Sequence, residues 1–483
     1  MKRNTKKPGQ AAGATTALAC AATALTAAEA STNSVSSAPV AATISTNAIE
    51  KSAEVQSQNW NWHVQNTETV QGYPAFAAKY SGPNSLPDGG ETRETVSLDL
   101  MAGVRLWRGA EAHIDGLMWQ GFGLNKTLGI EAFPNGEAYR LGTAVPNGMI
   151  ARLFIRQTIG FGGDQEGVPD DELDLAGKRD ISRLTFTLGR FSAADIFDQN
   201  AYANDPPRQF MNWAFVNNEA WDYPADAVGY DTGLAIELNQ PKWTLRYGFF
   251  QVPRVQNTLT ADDQFLKWPY DPSADGPSQD GPLLNAWAMV TELERRYSIN
   301  GHPGTVRVLA FLNRADMAEY SEATTLLDEG QSFLSARAYR YKYGFGLNWE
   351  QEIAKNVGVF SRLGWNDDHE EGWMFDDVGY TASLGLSVKG EAWHRPDDTF
   401  GLAGVANGIS KAEQEFFEAG GTGILAGDGA LTYGWEKTLE TYYDFKIWKT
   451  IRAAVDYQYV VDPAYNRDRG PVSIFGARLH WEF

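Results

Sequence analysis

The sequence contains a single cysteine, only six histidines and, beyond its N-terminus, no apolar run long enough to form a membrane helix. The patterns HExxH, GxSxG, GxxxxGK and CxxC do not occur, which argues against the common metalloprotease, serine-hydrolase, nucleotide-binding and dithiol sites. A mean hydropathy of -0.38 argues against a helical membrane protein, because each span needs about 18 consecutive apolar residues. A membrane β-barrel stays open, since half of the residues in its strands can face water.

Residues 1–30 have the features of a signal peptide. Four basic residues precede a segment rich in alanine, threonine and leucine: Lys2, Arg3, Lys6 and Lys7. The segment ends at Ala28-Glu29-Ala30, which fits the A-x-A cleavage pattern. The alternatives are a disordered alanine-rich tail and a lipoprotein signal at Cys20, although Leu18 lies one place too near that cysteine. Cleavage near Ala30 would leave a charge of -23, from -20 for the whole chain, and no thiol, as suits an oxidising compartment.

Residues 31–58 are rich in serine, threonine, alanine and asparagine, and they predict a flexible spacer. From residue 59 onward, segments of about ten residues alternate between apolar and polar side chains. The last segment shows this most clearly. One of its faces carries Phe475, Ala477, Leu479, Trp481 and Phe483, and the other carries Gly476, Arg478, His480 and Glu482. The same alternation assigns Tyr230 and Val378 to apolar outer faces.

About sixteen such segments predict an all-β fold, a transmembrane antiparallel β-barrel over residues 59–483. The alternative is a large soluble array of β-sandwiches. Arginine and glutamate in the middle of the polar faces favour the barrel, because a packed core rarely accepts them unpaired and a wet lumen does. Sixteen strands give a backbone diameter of about 30 Å, too wide for side chains alone to fill. We therefore expect long connections to fold into the lumen; the candidates are 120–149, 191–227, 251–284 and 406–435.

The connection at residues 191–230 has the composition of a sugar-binding loop. It is dense in carboxylates and amides, which bind paired hydroxyls, in arginine, which donates as a fork, and in aromatic rings, which cover the C–H face of a sugar. The alternative is a surface loop stabilised by Asx turns. The candidate residues are Asp195, Asp198, Asn200, Tyr202, Asp205, Arg208 and Trp213.

Ten stretches in order resemble the carbohydrate-selective outer-membrane porins of the OprB type. They are 71–74, 80–87, 120–123, 133–140, 152–157, 195–213, 292–297, 395–398, 439–443 and 462–472. The resemblance covers nearly all of the chain after residue 60. It implies a sixteen-stranded barrel whose infolded loops narrow the lumen to a sugar-sized eyelet lined by arginine, acidic and aromatic residues. Some relatives carry a helical N-terminal extension, and its role is not transferred here because a spacer replaces it.

We expect passive passage of mono- and small oligosaccharides through a water-filled pore, with no catalytic step, no cofactor and no metal. Arg152, Arg156 and Arg183 point inward by their position in the alternation, and together with Glu137 they complete the predicted pore lining. For each of them the alternative is an ion pair that braces the wall. The rival functions are a general diffusion porin and a channel for small organic acids or aromatic solutes. A barrel enzyme is a further rival, since barrel-type lipid hydrolases and proteases exist in outer membranes and a carboxylate-rich loop could supply the carboxylate pair of a glycosidase by chance.

The chain end predicts the partners. Leu479, Trp481 and Phe483 form an aromatic-ended strand of the kind that the barrel assembly machinery recognises by strand pairing. The expected location is the outer membrane of a Gram-negative bacterium, where lipid and lipopolysaccharide surround the barrel and sugars pass through it. We expect no nucleic-acid partner. The outer apolar band suits a monomer or a homotrimer.

Overall fold

The computed structural model describes residues 56–139, 142–253, 256, 267–268 and 285–483. The signal peptide expected at 1–30, nearly all of the spacer expected at 31–58 and most of the connection expected at 251–284 lie outside these ranges. Within them, no helix is long and apolar enough to cross a membrane.

Sixteen long antiparallel strands of the described residues form one closed barrel. Each strand pairs with its neighbours in sequence, and the last strand pairs with the first, from Gln65 opposite Glu482 to Gly72 opposite Phe475. The strands are β1 (Trp60–Tyr73), β2 (Glu91–Trp107), β3 (Ala110–Gly121), β4 (Thr143–Gly160), β5 (Arg183–Phe191), β6 (Asp231–Gln240), β7 (Trp243–Gln251), β8 (Trp287–Ile299), β9 (His302–Ala318), β10 (Arg337–Ala354), β11 (Val357–Asn366), β12 (Tyr380–Gly390), β13 (Arg395–Gly408), β14 (Glu436–Trp448), β15 (Ile451–Val461) and β16 (Val472–Glu482). The fold class and the strand number expected from the sequence are confirmed.

The two faces of the barrel follow the alternation in the sequence. In β16 the ring of Phe475 is 57% exposed on the outside, whereas Arg478 and His480 are buried inside. An outer band of apolar side chains around a polar interior is the arrangement of a membrane barrel. Tyr230 and Val378 are corrections, because both are buried and precede their strands. Gly379 directly precedes β12, and Gly229 (φ 103°) lies two residues before β6. The alternation of these strands therefore does not extend back to Val378 and Tyr230.

The connections differ in length between the two ends of the barrel. At one end, called the short-turn end, two-residue turns join β2 to β3, β6 to β7, β8 to β9, β10 to β11 and β14 to β15. The other end, called the long-loop end, carries the connections 74–90, 122–142, 192–230, 252–286, 319–336, 367–379, 409–435 and 462–471. In membrane barrels the short turns face the periplasm. One connection at the short-turn end is an exception: residues 161–182 contain a hairpin of two small strands, Gln165–Val168 and Gly177–Asp180.

The described loops contain short helices. These are α1 (Trp213–Val216), α2 (Tyr320–Asp328) and α3 (Lys411–Glu418), with 3-10 turns at Leu124–Thr127, Ala193–Asp195, Phe333–Ala336, Glu391–Trp393 and Pro463–Tyr465. A two-residue strand, Lys267–Trp268, pairs with the beginning of β4.

The connection at 192–230, called the central loop, fills the middle of the lumen. Phe197, Phe210 and Phe215 are fully buried in it. Their rings pack against Phe250 of β7 and Phe360 of β11, with centroids 5.4 to 6.5 Å apart. The expectation that a long connection folds into the lumen is confirmed.

A buried ion pair fastens the central loop to the barrel wall. Arg362 of β11 donates to Asp198 Oδ2 at 2.9 Å, and to the carbonyls of Phe215 and Ala203 at 2.8 and 2.9 Å. Asn348 of β10 donates to Asp198 Oδ1 at 2.7 Å. Asp198 adopts a left-handed backbone (φ 55°) that aspartate tolerates. One arginine therefore holds three segments of the loop.

Buried carboxylates join three other loops. Glu131 Oε2, in the connection 122–142, accepts the backbone N–H of Asp377 in the connection 367–379 at 2.8 Å. Asp377 Oδ2 in turn accepts the N–H of Leu425 in the connection 409–435 at 3.0 Å. Burial raises the pKa of Asp377 to about 6, and burial followed by the charge of Asp377 raises the pKa of Glu131 well above its usual range.

Arg362→Ala should lower the stability of the folded protein and expose the central loop. Leaving Asp198 buried without its cation costs about 3–5 kcal/mol. We expect a lower temperature for loss of β-sheet by circular dichroism and faster proteolysis within 192–230. The control is Arg395→Ala, whose partly exposed pair with Asp398 lies at the short-turn end. Equal melting and equal proteolysis of the two variants would contradict the anchoring role.

Asp377→Asn should flatten the pH dependence of stability. The folded-state pKa of Asp377, about 6, lies above the value of about 3.9 expected in the unfolded chain. The folded state therefore holds the proton more tightly, and stability falls by about 3 kcal/mol as pH rises from about 4 to 6. The asparagine variant lacks this loss, so we expect it to melt higher than the native protein at pH 8. Thermal scans at pH 4 and pH 8 measure the difference, with exposed Asp397→Asn as control; parallel native and Asp377→Asn values would disprove the assignment.

Candidate functional site

The candidate site lies between the central loop and the inner wall of β2, β3 and β4. Arg152 of β4 makes a fork to Asp195 of the central loop, Nε to Oδ2 and Nη2 to Oδ1, both at 2.8 Å. Its Nη1 donates to Asp115 of β3 at 2.6 Å. The guanidinium also lies 5.0 Å from the ring centroid of Tyr230. Arg152 thus bridges the wall and the loop.

Local backbone structure sets the position of both partners. Ala151 is an extra residue in β4, because Asp115 pairs with Arg152 and the next residue of β3 pairs with Ile150. Such a bulge shifts the alternation, so that Met149 and Arg152 both face inward. Asp195 ends the 3-10 turn Ala193–Asp195, where its Oδ2 accepts the N–H of Ser192 at 3.0 Å in a capping box.

More carboxylates line the same wall. Gln65 of β1 donates to Asp99 of β2 at 3.1 Å. Ser97 of β2 donates to Glu137 at 2.9 Å, and Asn135 accepts the Glu137 N–H at 2.9 Å. Burial raises the pKa of Glu137, and the hydrogen bond from Ser97 opposes that rise. The carboxylates of Asp99 and Glu137 therefore accept hydrogen bonds from uncharged side chains on the wall, close to the guanidinium of Arg152.

A second arginine, Arg208, lies on the side of the central loop that faces the short-turn end. Arg208 lies 2.8 Å from Asp205, 3.1 Å from Glu482 of β16 and 3.3 Å from Glu172 of the hairpin at the short-turn end. The charges of these carboxylates, Asp205 first, raise the pKa of Arg208 against the opposing effect of burial. The Arg208 side chain is 28% exposed and that of Arg152 is 16% exposed, so neither side chain is fully enclosed by the protein.

The structure brings together five of the residues expected from the sequence, on one side of the lumen. They are Glu137, Arg152, Asp195, Asp205 and Arg208. Arg156 and Arg183 lie nearer the short-turn end, where Arg156 bonds Asp174 at 2.9 Å and Arg183 pairs with Glu166 at 2.9 Å. Their contact with a solute stays a prediction.

The other expected residues are engaged with the protein itself. Asp198 and Asn200 are buried against Asn348. Trp213 stacks on Phe133 at 5.2 Å and donates to Asp376. Tyr202 packs on Gly358 of β11, where any side chain would collide with its ring. These four hold the shape of the central loop, and their direct contact with sugar stays a prediction.

Three residues of the site were not among the expected pore lining. Asp99 and Asp115 face inward by alternation, and a carboxylate at an inward position was the signal that could have identified them. Tyr230 was assigned to the wrong face. No sequence signal pairs it with Arg152, because that contact depends on how the central loop returns to β6. Within the described residues, no three His, Cys, Asp or Glu side chains are arranged to hold a metal ion.

The fold is similar to that of solved outer-membrane channels. The high-pH structure of Pseudomonas putida OprB matches with a TM-score of 0.66 and 16% identity, over 88% of this chain and 94% of that chain. Its low-pH structure matches with a TM-score of 0.46 and 13% identity, over 88% and 93%. The channel DcaP of Acinetobacter baumannii matches with a TM-score of 0.43 and 9% identity, over 89% and 100%. The first likeness establishes the fold alone. No curated protein matches the sequence.

The family comparison goes further. The model of the carbohydrate-selective porin family OprB matches residues 84–483, which include β2 to β16, the central loop and the Arg152 site. Porins of this family and fold are channels of the Gram-negative outer membrane and not enzymes, so the expected location and the expected lack of a catalytic step are confirmed. The chain belongs to the carbohydrate-selective porin family OprB and is a sugar porin.

Proposed function

We propose that neutral mono- and small oligosaccharides cross the lumen between the central loop and the wall of β2 to β4, where Arg152 and Asp195 bind their hydroxyl groups. The observation that carries this proposal is the fork between Arg152 and Asp195, since it joins the two sides of the passage and stays partly exposed. The part of the passage beside Arg152 and Asp195, called the eyelet, offers hydrogen-bond donors and acceptors side by side.

An arginine paired with carboxylates suits the binding of a sugar that must also be released. A hydroxyl can accept from the guanidinium and donate to the carboxylate, in place of water or of part of the ion pair. Because each new hydrogen bond replaces an existing one, the net gain is small. Weak binding of this kind admits a solute and lets it leave.

The charge balance favours neutral solutes over organic acids. Arg152 faces Asp115 and Asp195, and Arg208 faces Asp205, Glu172 and Glu482. An anion approaching either guanidinium therefore meets more negative than positive charge, which lowers its local concentration. A neutral sugar carries no such penalty. The organic-acid channel is thereby the weaker alternative.

Arg152→Gln should weaken saturable sugar uptake. Because the sugar replaces hydrogen bonds that already exist, the net contribution of the guanidinium is about 0.5–1.5 kcal/mol, so we expect the half-saturating glucose concentration to rise about two- to tenfold. The measurement is the rate of sugar entry into liposomes containing the purified porin. Arg152→Lys, which keeps the charge but not the fork, should fall between the two.

The matched control for that experiment is Arg337→Gln on the far wall. Arg337 of β10 makes a similar fork, to Glu371 of the connection 367–379, and is similarly exposed. We expect its half-saturation to stay at the native value. If Arg152→Gln also keeps the native half-saturation, Arg152 does not bind the transported sugar.

We also propose that the last strand is the signal read by the barrel assembly machinery. The closure supports this proposal, because the Phe483 N–H donates to the Val64 carbonyl at 2.9 Å and its ring points outward at the seam. Residues 1–30 would be removed on export and 31–58 would remain as a spacer. Lipid, lipopolysaccharide or, in a homotrimer, a neighbouring copy would cover the outer apolar band.

Deleting Phe483 should reduce the yield of folded barrel in the outer membrane without changing the single-channel conductance of the barrels that form. The reason is that the terminal residue contributes to recognition and to the seam but not to the lumen. The control is Phe475→Ala, an equally exposed outward aromatic residue of the same strand. Equal yields of the deletion and the native protein in membrane fractions would count against the proposed signal.

A further inference from the structure

The connection between β4 and β5 is far longer than the barrel requires. Gly160 and Arg183 are paired neighbours, a separation that two residues span elsewhere, as Asn300 and Gly301 do between β8 and β9. Here residues 161–182, called the inner hairpin, occupy the same gap. Its base is held by hydrogen bonds between Phe161 and Ser182 at 2.9 Å and between Ile181 and Asp164 at 2.9 Å.

The tip of the inner hairpin folds back into the lumen along β1. Gln58 and Ala176 bond through their backbones at 2.9 Å. Asn61, an inward residue of β1, donates to Asp170 Oδ1 at 2.9 Å and to the carbonyls of Asp171 and Asp174 at 3.0 and 3.1 Å. A single wall asparagine thus holds both arms of the tip.

The opposite side of the tip is fixed by β4. Arg156 donates to the Leu173 carbonyl at 2.8 Å and to Asp174 Oδ1 at 2.9 Å. Leu173 packs on the hydrophobic cluster that includes Phe154 of the same strand, and Leu175 is buried. These contacts place the tip inside the barrel, in the sector of β1 to β4 that also carries the eyelet.

The inner hairpin also touches the central loop, which enters from the other end. Glu172 at the tip receives Arg208 Nη2 at 3.3 Å. Desolvation opposes ionisation of Glu172, but a hydrogen bond from Asp171 and the charge of Arg208 lower its pKa to about 2, so the contact stays charged at ordinary pH. Burial, followed by the neighbouring Glu172, raises the pKa of Asp171 to about 8.

We propose that the inner hairpin forms a second constriction on the periplasmic side of the eyelet and limits the size of the sugar that can leave the pore. Arg152 and Arg156 lie four residues apart on β4, so the tip stands about 13 Å beyond the eyelet along the strand. A solute released at Arg152 next meets the partly exposed side chains of Asp174 at the tip and of Arg179 in the adjoining strand. The size limit rests on the proposed passage of sugar, whereas the narrowing of the pore does not.

The direct test replaces residues 161–182 by Asn-Gly, the turn that already joins β8 to β9. Removing one of two comparable resistances in series should raise single-channel conductance in salt about two-fold. Uptake of a trisaccharide relative to glucose should rise as well. Native conductance and a native trisaccharide-to-glucose ratio would overturn the proposal.

A second test leaves the inner hairpin in place, in case the shortened variant does not fold. In a Cys20→Ser background, Asp174→Cys places a thiol at the tip, where the native side chain is 29% exposed. A bulky methanethiosulfonate reagent added from the short-turn side should then reduce the current by at least half. The control is Asp397→Cys, exposed at the same end on β13, where the reagent should leave the current unchanged.

The two proposals fail in different ways. An unchanged current at labelled Asp174→Cys, with the thiol shown to have reacted, overturns the second constriction whatever the solute. A conductance that responds to both variants, in channels whose sugar uptake never saturates, supports the constriction and removes the sugar-binding eyelet instead.

Discussion

Closure of the sheet is the constraint on which the rest of the structure depends. No strand in lipid can leave its backbone groups unpaired, so β16 must pair with β1. Sixteen strands then enclose a lumen about 30 Å across, which wall side chains cannot fill. The loops have to enter the lumen, and once inside they need partners for their own buried backbone groups.

Glutamates of the inner wall supply many of these partners. Four of them accept loop N–H groups at 2.6 to 2.8 Å: Glu292 from Asp198, Glu350 from Ala201, Glu436 from Ala132 and Glu440 from Met211. Many polar side chains of the inner wall, which by their position in the strands could face water, therefore form hydrogen bonds to the loops instead. In the sector of β2 to β4, Arg152 connects the wall to the central loop through Asp115 and Asp195, and its side chain stays partly exposed.

The sequence was sufficient for the barrel and insufficient for the loops. A period of two residues is a local property, so strand faces, the inward position of Arg152 and the number of strands could be predicted. The path of the central loop depends on partners far away in sequence, such as Arg362, which lies 164 residues from Asp198. For that reason Asp198 and Trp213 could be recognised as loop residues but not as anchors. The inner hairpin went unnoticed because its signal is its length at the short-turn end and not its hydrophobic pattern.

Single-channel current in a planar bilayer, recorded with and without glucose and a disaccharide, tests the account most directly. A polar eyelet with paired arginine and carboxylate predicts dose-dependent interruption of the current by both sugars, reversible on washing, with little effect from a small organic acid at the same concentration. Open channels whose current and current noise are the same with every sugar would contradict a sugar-binding eyelet.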